Sequence, residues 1–352
     1  MKKKRETLMQ GIIAIMFSQV LIKLLGLIYK LYLTNKEGFG DEGNAIYSSG
    51  FQIYALLLTL SSIGVPNAIS KLISEKVAIG DNKGAHRIFK VCFVTFSLIG
   101  LTGTLILFLG ANYIANILLQ IPEAELTLIA LAPSIFFVSV SSVIRGYFNG
   151  RKELKASARS QTLEQVFKAV LTVIVVEIIA INTNNNTIVM AAGANLATTL
   201  ATFLGTSYLY LYYKSKRKEV WTDISLSVKY DRQSIKKILK NVLIISIPIT
   251  LSALLGALHR NIDAFTVIRG LKTFLPEIEA KTQYGILTGK VDTIIILPLS
   301  LNIAFSIALV PTISALLVKK DYRAIRIKIK KILIVTALFG LTCTARDFFL
   351  FR

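Results

Sequence analysis

The sequence is short of charge and nearly without cysteine. Only 17% of its 352 residues are charged, against about 25% in an average soluble domain, while 53% are hydrophobic and the mean hydropathy is +0.61. Such a chain has too little polar surface to cover a water-soluble globule and is expected to use lipid as its solvent. The two cysteines, Cys92 and Cys343, lie in separate apolar stretches with neither C-x-x-C spacing nor a spaced histidine. That excludes a disulfide framework and a zinc site and leaves both as packing residues. No Walker A motif is present, so direct ATP use is unsupported, and no cofactor is implied. The only compact acidic group that a membrane glycosyltransferase could use is Glu37, Asp41 and Glu42, which reads more simply as a solvated turn. The start, Met1 to Arg5 followed by an apolar stretch, superficially resembles a cleavable leader. The apolar stretch after Arg5 is too long, contains Lys23 and Lys30, and is followed by no small-residue cleavage pattern, so it reads as a retained first helix.

The charge that is present has one dominant sign, 41 Lys and Arg against 20 Asp and Glu for a net +21. On a soluble protein this would suggest nucleic acid, which requires basic residues gathered on one water-exposed face. Here they fall in blocks between apolar segments, with four in 2–5, five in 71–90, six in 145–168, nine in 214–240 and seven in 319–331. The charge is therefore topological, and no nucleic-acid partner is expected.

A helix needs about 20 predominantly apolar residues to cross the bilayer core. Eight segments qualify: 11–33, 51–69, 91–109, 126–144, 162–181, 189–213, 242–267 and 291–318; a ninth, 332–344, is short as it stands. Continuous runs such as Val173-Ile174-Val175-Val176 argue against the alternation a membrane β-barrel needs. The expectation is an all-α polytopic membrane protein. Because Lys and Arg collect in short cytoplasmic loops, the basic blocks put the N-terminus in the cytoplasm and odd-numbered helices running outward. The weakest loop for this assignment is 259–290, where five basic residues are partly offset by Asp263, Glu277 and Glu279.

Two internal matches occur in the same order. Leu24-Leu25-Gly26-Leu27-Ile28-Tyr29-Lys30 resembles Leu254-Leu255-Gly256-Ala257-Leu258-His259-Arg260, and Val65-Pro66-Asn67-Ala68-Ile69-Ser70 resembles Val310-Pro311-Thr312-Ile313-Ser314. A repeated six-helix unit preserves direction and gives parallel halves about an axis along the membrane normal, one repeat plan of secondary transporters. The first lobe is then 1–230, helices 1–6, and 231–352 is a partial second lobe with helices 7–9, C-terminally truncated by this logic.

Ionisable groups inside spans are expensive and so are functional candidates. In helix 1, Gln19, Lys23, Gly26 and Lys30 recur at helical spacing and form one polar stripe. Lys23 lies about 18 Å along the helix from Gly11, near the midplane; it faces either a water-filled substrate cavity or a structural partner on another helix. Helix 7 carries His259, Arg260 and Asp263, a self-neutralising boundary group or a substrate or ion site. Glu177 stands among Val175, Val176, Ile178 and Ile179, where it either couples to protons or hydrogen-bonds a neighbouring helix. Glu164 and Lys168 are spaced as a structural i,i+4 pair, and Lys290 and Asp292 read as solvated.

Several stretches resemble the polysaccharide biosynthesis branch, stage V sporulation protein B-like, of the multidrug/oligosaccharidyl-lipid/polysaccharide flippase superfamily. They are Glu42-Gly43-Asn44-Ala45-Ile46-Tyr47, Gly64-Val65-Pro66-Asn67-Ala68-Ile69-Ser70-Lys71, Arg145-Gly146-Tyr147-Phe148-Asn149-Gly150, Gln161-Thr162-Leu163-Glu164-Gln165 and Tyr284-Gly285-Ile286-Leu287-Thr288-Gly289-Lys290. The resemblance implies a two-lobe flippase in the bacterial cell membrane. Such a protein passes an undecaprenyl-pyrophosphate-linked saccharide or peptidoglycan precursor through a cavity by alternating access. Lipid II flippases of the superfamily carry cavity arginines in helices 1, 2 and 8; Lys23 stands in for the first, whereas 51–69 and 291–318 hold no basic residue. Lys23, Lys30 and Arg260 are thus the expected cavity cations. A cation-coupled multidrug exporter is the alternative within the superfamily, and a membrane glycosyltransferase the alternative outside it.

Overall fold

The computed structural model describes the backbone of residues 8–62, 64–225, 227, 233–292 and 321–350; within these helices the side chains at 8–20, 23, 60–62, 256–257, 259–261, 332, 335, 339, 343 and 346–350 are not described. The eighth expected span and the second half of the Val310 repeat fall on 293–320, outside the described residues.

The described residues form helices and turns only. In order these are α1 (Leu8–Asn35), α2 (Gly40–Ser62), α3 (Gly64–Ala78), α4 (Asn82–Tyr113), α5 (Glu125–Gly150), α6 (Leu154–Asn182), α7 (Thr187–Ser215), α8 (Arg217–Ser225), α9 (Ile235–Leu271), α10 (Glu277–Ile286) and α11 (Tyr322–Leu350). Polar side-chain caps start several of them. Asp81 accepts from the Gly84 amide at 2.7 Å to start α4, Asn186 accepts from the Ile188 and Val189 amides to start α7, and Ser234 accepts from Lys237 to start α9. The expected 51–69 span is the junction of α2 and α3. Asp41 and Glu42, read from sequence as part of a loop, form the acidic first turn of α2 instead, where they complement the helix dipole. The expected 242–267 span lies within α9, which runs on to Leu271. Beyond α4 the chain makes a π-helical turn, Ile114–Leu119, that ends at left-handed Gln120 and is followed by a single 3-10 turn, Pro122–Ala124.

Among the described residues, five helical stretches are long and apolar enough to cross a membrane by length and composition: Gly40–Ala78, Asn82–Leu119, Pro122–Gly150, Thr187–Ser215 and Ile235–Leu255. The side-chain distribution is that of a protein in lipid. Leu98, Leu105, Ile106 and Leu109 of α4 face outward, while Ser134, Ser139, Ser141 and Ser142 of the central α5 are buried. With lipid outside, helices gain nothing from hiding leucine and associate through small and hydroxyl residues. Around Pro133, which interrupts the α5 ladder, flanking threonines donate to its carbonyls: Thr199 to Ala130 at 2.6 Å, Thr104 to Ala132 at 3.0 Å and Thr206 to Phe137 at 3.0 Å.

Helix α5 packs on α2, α3, α4 and α7, and α6 lies between α1 and α7. Helix α9 runs along α2 and α3, and α10 with its following π turn, Leu287–Val291, seats on α2. Cys92 is buried and free in the core; Cys343 lies outside the described side chains.

Candidate functional site

Among the described residues, two groups of charged side chains bear most directly on a site. The first lies at the end of the bundle that carries the turns 36–39, 114–124 and 183–186. Lys290 pairs with Asp41 at 2.7 Å, so neither is simply solvated. Lys281 reaches Glu123 at 2.6 Å and Glu277 at 3.3 Å. Arg269 donates to the Ile117 carbonyl at 2.6 Å and Lys272 to that of Gln120 at 3.0 Å. Burial alone would pull the Lys281 ammonium down, but the Glu123 and Glu277 carboxylates outweigh it and hold its pKa above the ordinary lysine value. The helices themselves touch at glycine: a β-carbon on Gly285 would overlap the Asp41 carbonyl, and one on Gly289 would stand 2.9 Å from the Asn44 side chain. This four-residue spacing of glycines is what lets two helix backbones meet. The end of α9 and α10 thus close onto the turns beside α1 and α4 at this end.

The second place lies inside the bundle between α1, α2 and α6. Lys30 of α1 donates to Ser48 Oγ at 3.2 Å and sits over the Tyr47 ring at 5.1 Å. Lys168 of α6 is 5% exposed, with its ammonium 4.1 Å from the Phe51 ring and 5.1 Å from that of Tyr29. Tyr47 and Phe51 are stacked at 5.7 Å, so the two cations ride on one aromatic stack, and each lies within electrostatic reach of the other and Lys30 of Asp292. Asn195 of α7 donates to the Tyr47 carbonyl at 3.2 Å and fixes that turn of α2.

The sequence-predicted residues distribute unevenly over these places. Lys30 belongs to the cation and aromatic group. Lys23, His259 and Arg260 lie on α1 and α9, with side chains outside those described, and Asp263 is exposed on α9. Glu177 is not isolated. It accepts from Tyr32 at 2.6 Å and pairs with Lys36 at 2.6 Å, which ties α6 to the end of α1. Glu164 and Lys168 do not form the expected pair; Glu164 is held by Arg145 at 2.7 Å, because a neighbour across a helix interface can outcompete one a turn away. Lys168 was the residue missed as a site group. Its signal was a lysine four residues past a glutamate with a stronger partner elsewhere, which sequence spacing cannot reveal.

The family model described as "Polysaccharide biosynthesis protein" matches residues 8–317. Stage V sporulation protein B of Bacillus subtilis (strain 168) is 26% identical over 96% of this chain and 64% of its own length. Lipid II flippase MurJ of the same organism is 22% identical over 95% of this chain and 64% of its own. The chain therefore spans just under two-thirds of these relatives. Among solved structures, an inward-facing multidrug resistance MATE family transporter of the MOP superfamily aligns with TM-score 0.72 at 16% identity, covering 95% of this chain and 72% of that one. A MOP superfamily transporter from Pyrococcus furiosus Vc1, described as having a binding pocket whose reverse polarity suggests a different function, aligns with TM-score 0.61 at 15% identity, covering 97% and 72%. The fold is that of these transporters, the chain is a multi-pass membrane protein, and by the family model it belongs to the polysaccharide biosynthesis protein family.

Proposed function

We propose that this chain acts as a flippase, carrying a lipid-linked saccharide or peptidoglycan precursor of the undecaprenyl-pyrophosphate type across the bacterial cytoplasmic membrane by alternating access. The observation that carries the reading is Lys30, a cation on the inner face of α1 held over Tyr47 beside Ser48. It can attract a phosphate in surroundings of low dielectric. Lys23 and Arg260, the other two cations expected from the sequence, lie on α1 and α9. An exporter of cationic drugs would call for acidic groups here, whereas Lys30 and Lys168 are basic. A glycosyltransferase would need free carboxylates, whereas Asp41 is engaged by Lys290.

The direct test is translocation of a fluorescent lipid-linked saccharide in vesicles containing the purified chain. Protein-dependent flipping is expected; its absence at confirmed insertion removes the reading.

The proposed orientation puts the N-terminus and the helix ends that carry the basic 71–90, 145–168 and 214–240 blocks toward the cytoplasm. In a cysteine-free background, Asn182→Cys is expected to react with an impermeant maleimide added to intact cells, and Lys218→Cys only after permeabilisation. Both positions are exposed, so the reverse pattern would invert the topology.

A further inference from the structure

The reading above uses Lys30 and leaves Lys168 without a task. Lys168 is buried, yet among the described residues no carboxylate lies within ion-pair distance of it. The one acid a helical turn away, Glu164, is held by Arg145. Two ring faces, Phe51 and Tyr29, flank its ammonium, and rings offset only part of the hydration that a buried cation gives up. One turn further along α6, the Thr172 hydroxyl is fully buried with no hydrogen-bond partner among the described residues, and Thr198 Oγ1 on the adjoining α7 is also buried without one. Buried polar atoms are rarely left so. Lys30 then brings a second positive charge onto the same Tyr47 and Phe51 stack, with Asp292 the acid in reach of Lys30. Two cations and unsatisfied hydroxyls around an aromatic stack cost stability when empty and become favourable when an anion with more than one charged centre enters.

We propose that Lys168 is a second anion-holding residue of this site, which together with Lys30 makes it a receptor for a diphosphate in preference to a single phosphate. The inference rests on the transport reading for its biological source of diphosphate but not for the binding itself. Each ammonium takes one phosphoryl group of the ligand, and the Thr172 hydroxyl supplies a donor beside Lys168. The aromatic faces keep both lysine stems in place and exclude water.

The test is binding of inorganic pyrophosphate and orthophosphate to the purified chain in nanodiscs, followed by thermal unfolding with and without ligand. Wild-type protein is expected to bind pyrophosphate at least about tenfold more tightly than orthophosphate. Lys168→Met keeps the stem between the rings and is expected to weaken pyrophosphate at least about tenfold while changing orthophosphate by less than about threefold. Its unfolding midpoint without ligand should equal or exceed the wild-type value, because a buried like charge has gone. Lys168→Arg should retain the preference for pyrophosphate. A Lys168→Met protein that keeps the preference, or that unfolds earlier or fails to fold, overturns the proposal and returns Lys168 to a structural role under the rings. Competition separates the sources of ligand. Displacement of pyrophosphate by a polyprenyl diphosphate, and not by a polyprenyl monophosphate, supports a lipid-borne substrate. Displacement by free pyrophosphate alone leaves Lys168 as a diphosphate residue and instead defeats the transport reading.

Discussion

Gly285→Ala is expected to unseat α10 from α2 and to reduce lipid translocation to near background, whereas Gly270→Ala leaves it unchanged. A β-carbon at 285 would overlap the backbone carbonyl of Asp41, which cannot step aside as a side chain can, while at Gly270 nothing lies within 4 Å. Overpacking of this kind costs about 1–3 kcal/mol, enough to shift an equilibrium between closed and open ends about fivefold to a hundredfold. The pairs Lys290–Asp41 and Lys281–Glu123 then lose their alignment together, since both depend on the same helix seating. Alternating access requires each end to close in turn, so a chain that cannot close here should cycle poorly. Two measurements check it: flipping rates in vesicles at matched protein levels, and maleimide labelling of a cysteine at Ser48, which is 7% exposed beside Lys30. Labelling should rise in Gly285→Ala. Unchanged labelling and wild-type transport would mean that the contact serves folding alone.

Lys30→Ala is expected to lower translocation about tenfold to a hundredfold, the loss of one charge-assisted contact to a phosphate, with membrane insertion intact. Removing the ammonium also deletes the bond to Ser48 and the contact with the Tyr47 ring, worth about 1 kcal/mol of stability together. The transport effect should therefore exceed anything a thermal shift explains. Lys30→Arg should keep part of the activity, because charge survives although the planar guanidinium does not match the ammonium's place over the ring. Transport by Lys30→Ala at the wild-type rate would take Lys30 out of substrate binding.

The helical class and the membrane setting were legible because they depend on runs and counts. Stretches such as 91–109 and 189–213 are too apolar for water and too long for anything but a span, and the structure places them in α4 and α7. Helix ends were less legible. Asp41 and Glu42, which look like loop by charge, open α2, and α9 runs past 267 to Leu271, where Arg269 finds the Ile117 carbonyl.

The amino-acid sequence by itself determined the polar stripe of α1, the basic blocks between spans and the helix-to-helix glycine spacing at 285 and 289, since period, sign and residue size are properties of a linear string. Only the tertiary structure decided which charges meet. Glu164 chose Arg145 from α5 over Lys168 on its own helix. Glu177 found Lys36 and Tyr32, more than a hundred residues away in sequence. Lys168 was left between Phe51 and Tyr29, and Gly285 met the backbone of Asp41. The physical reason is that a helix offers each side chain several partners at nearly equal cost, one turn up, one turn down or across an interface. Exposed pairs on one helix contribute only a few tenths of a kcal/mol, so packing of whole helices, which brings partners together in a less screened interior, makes the choice.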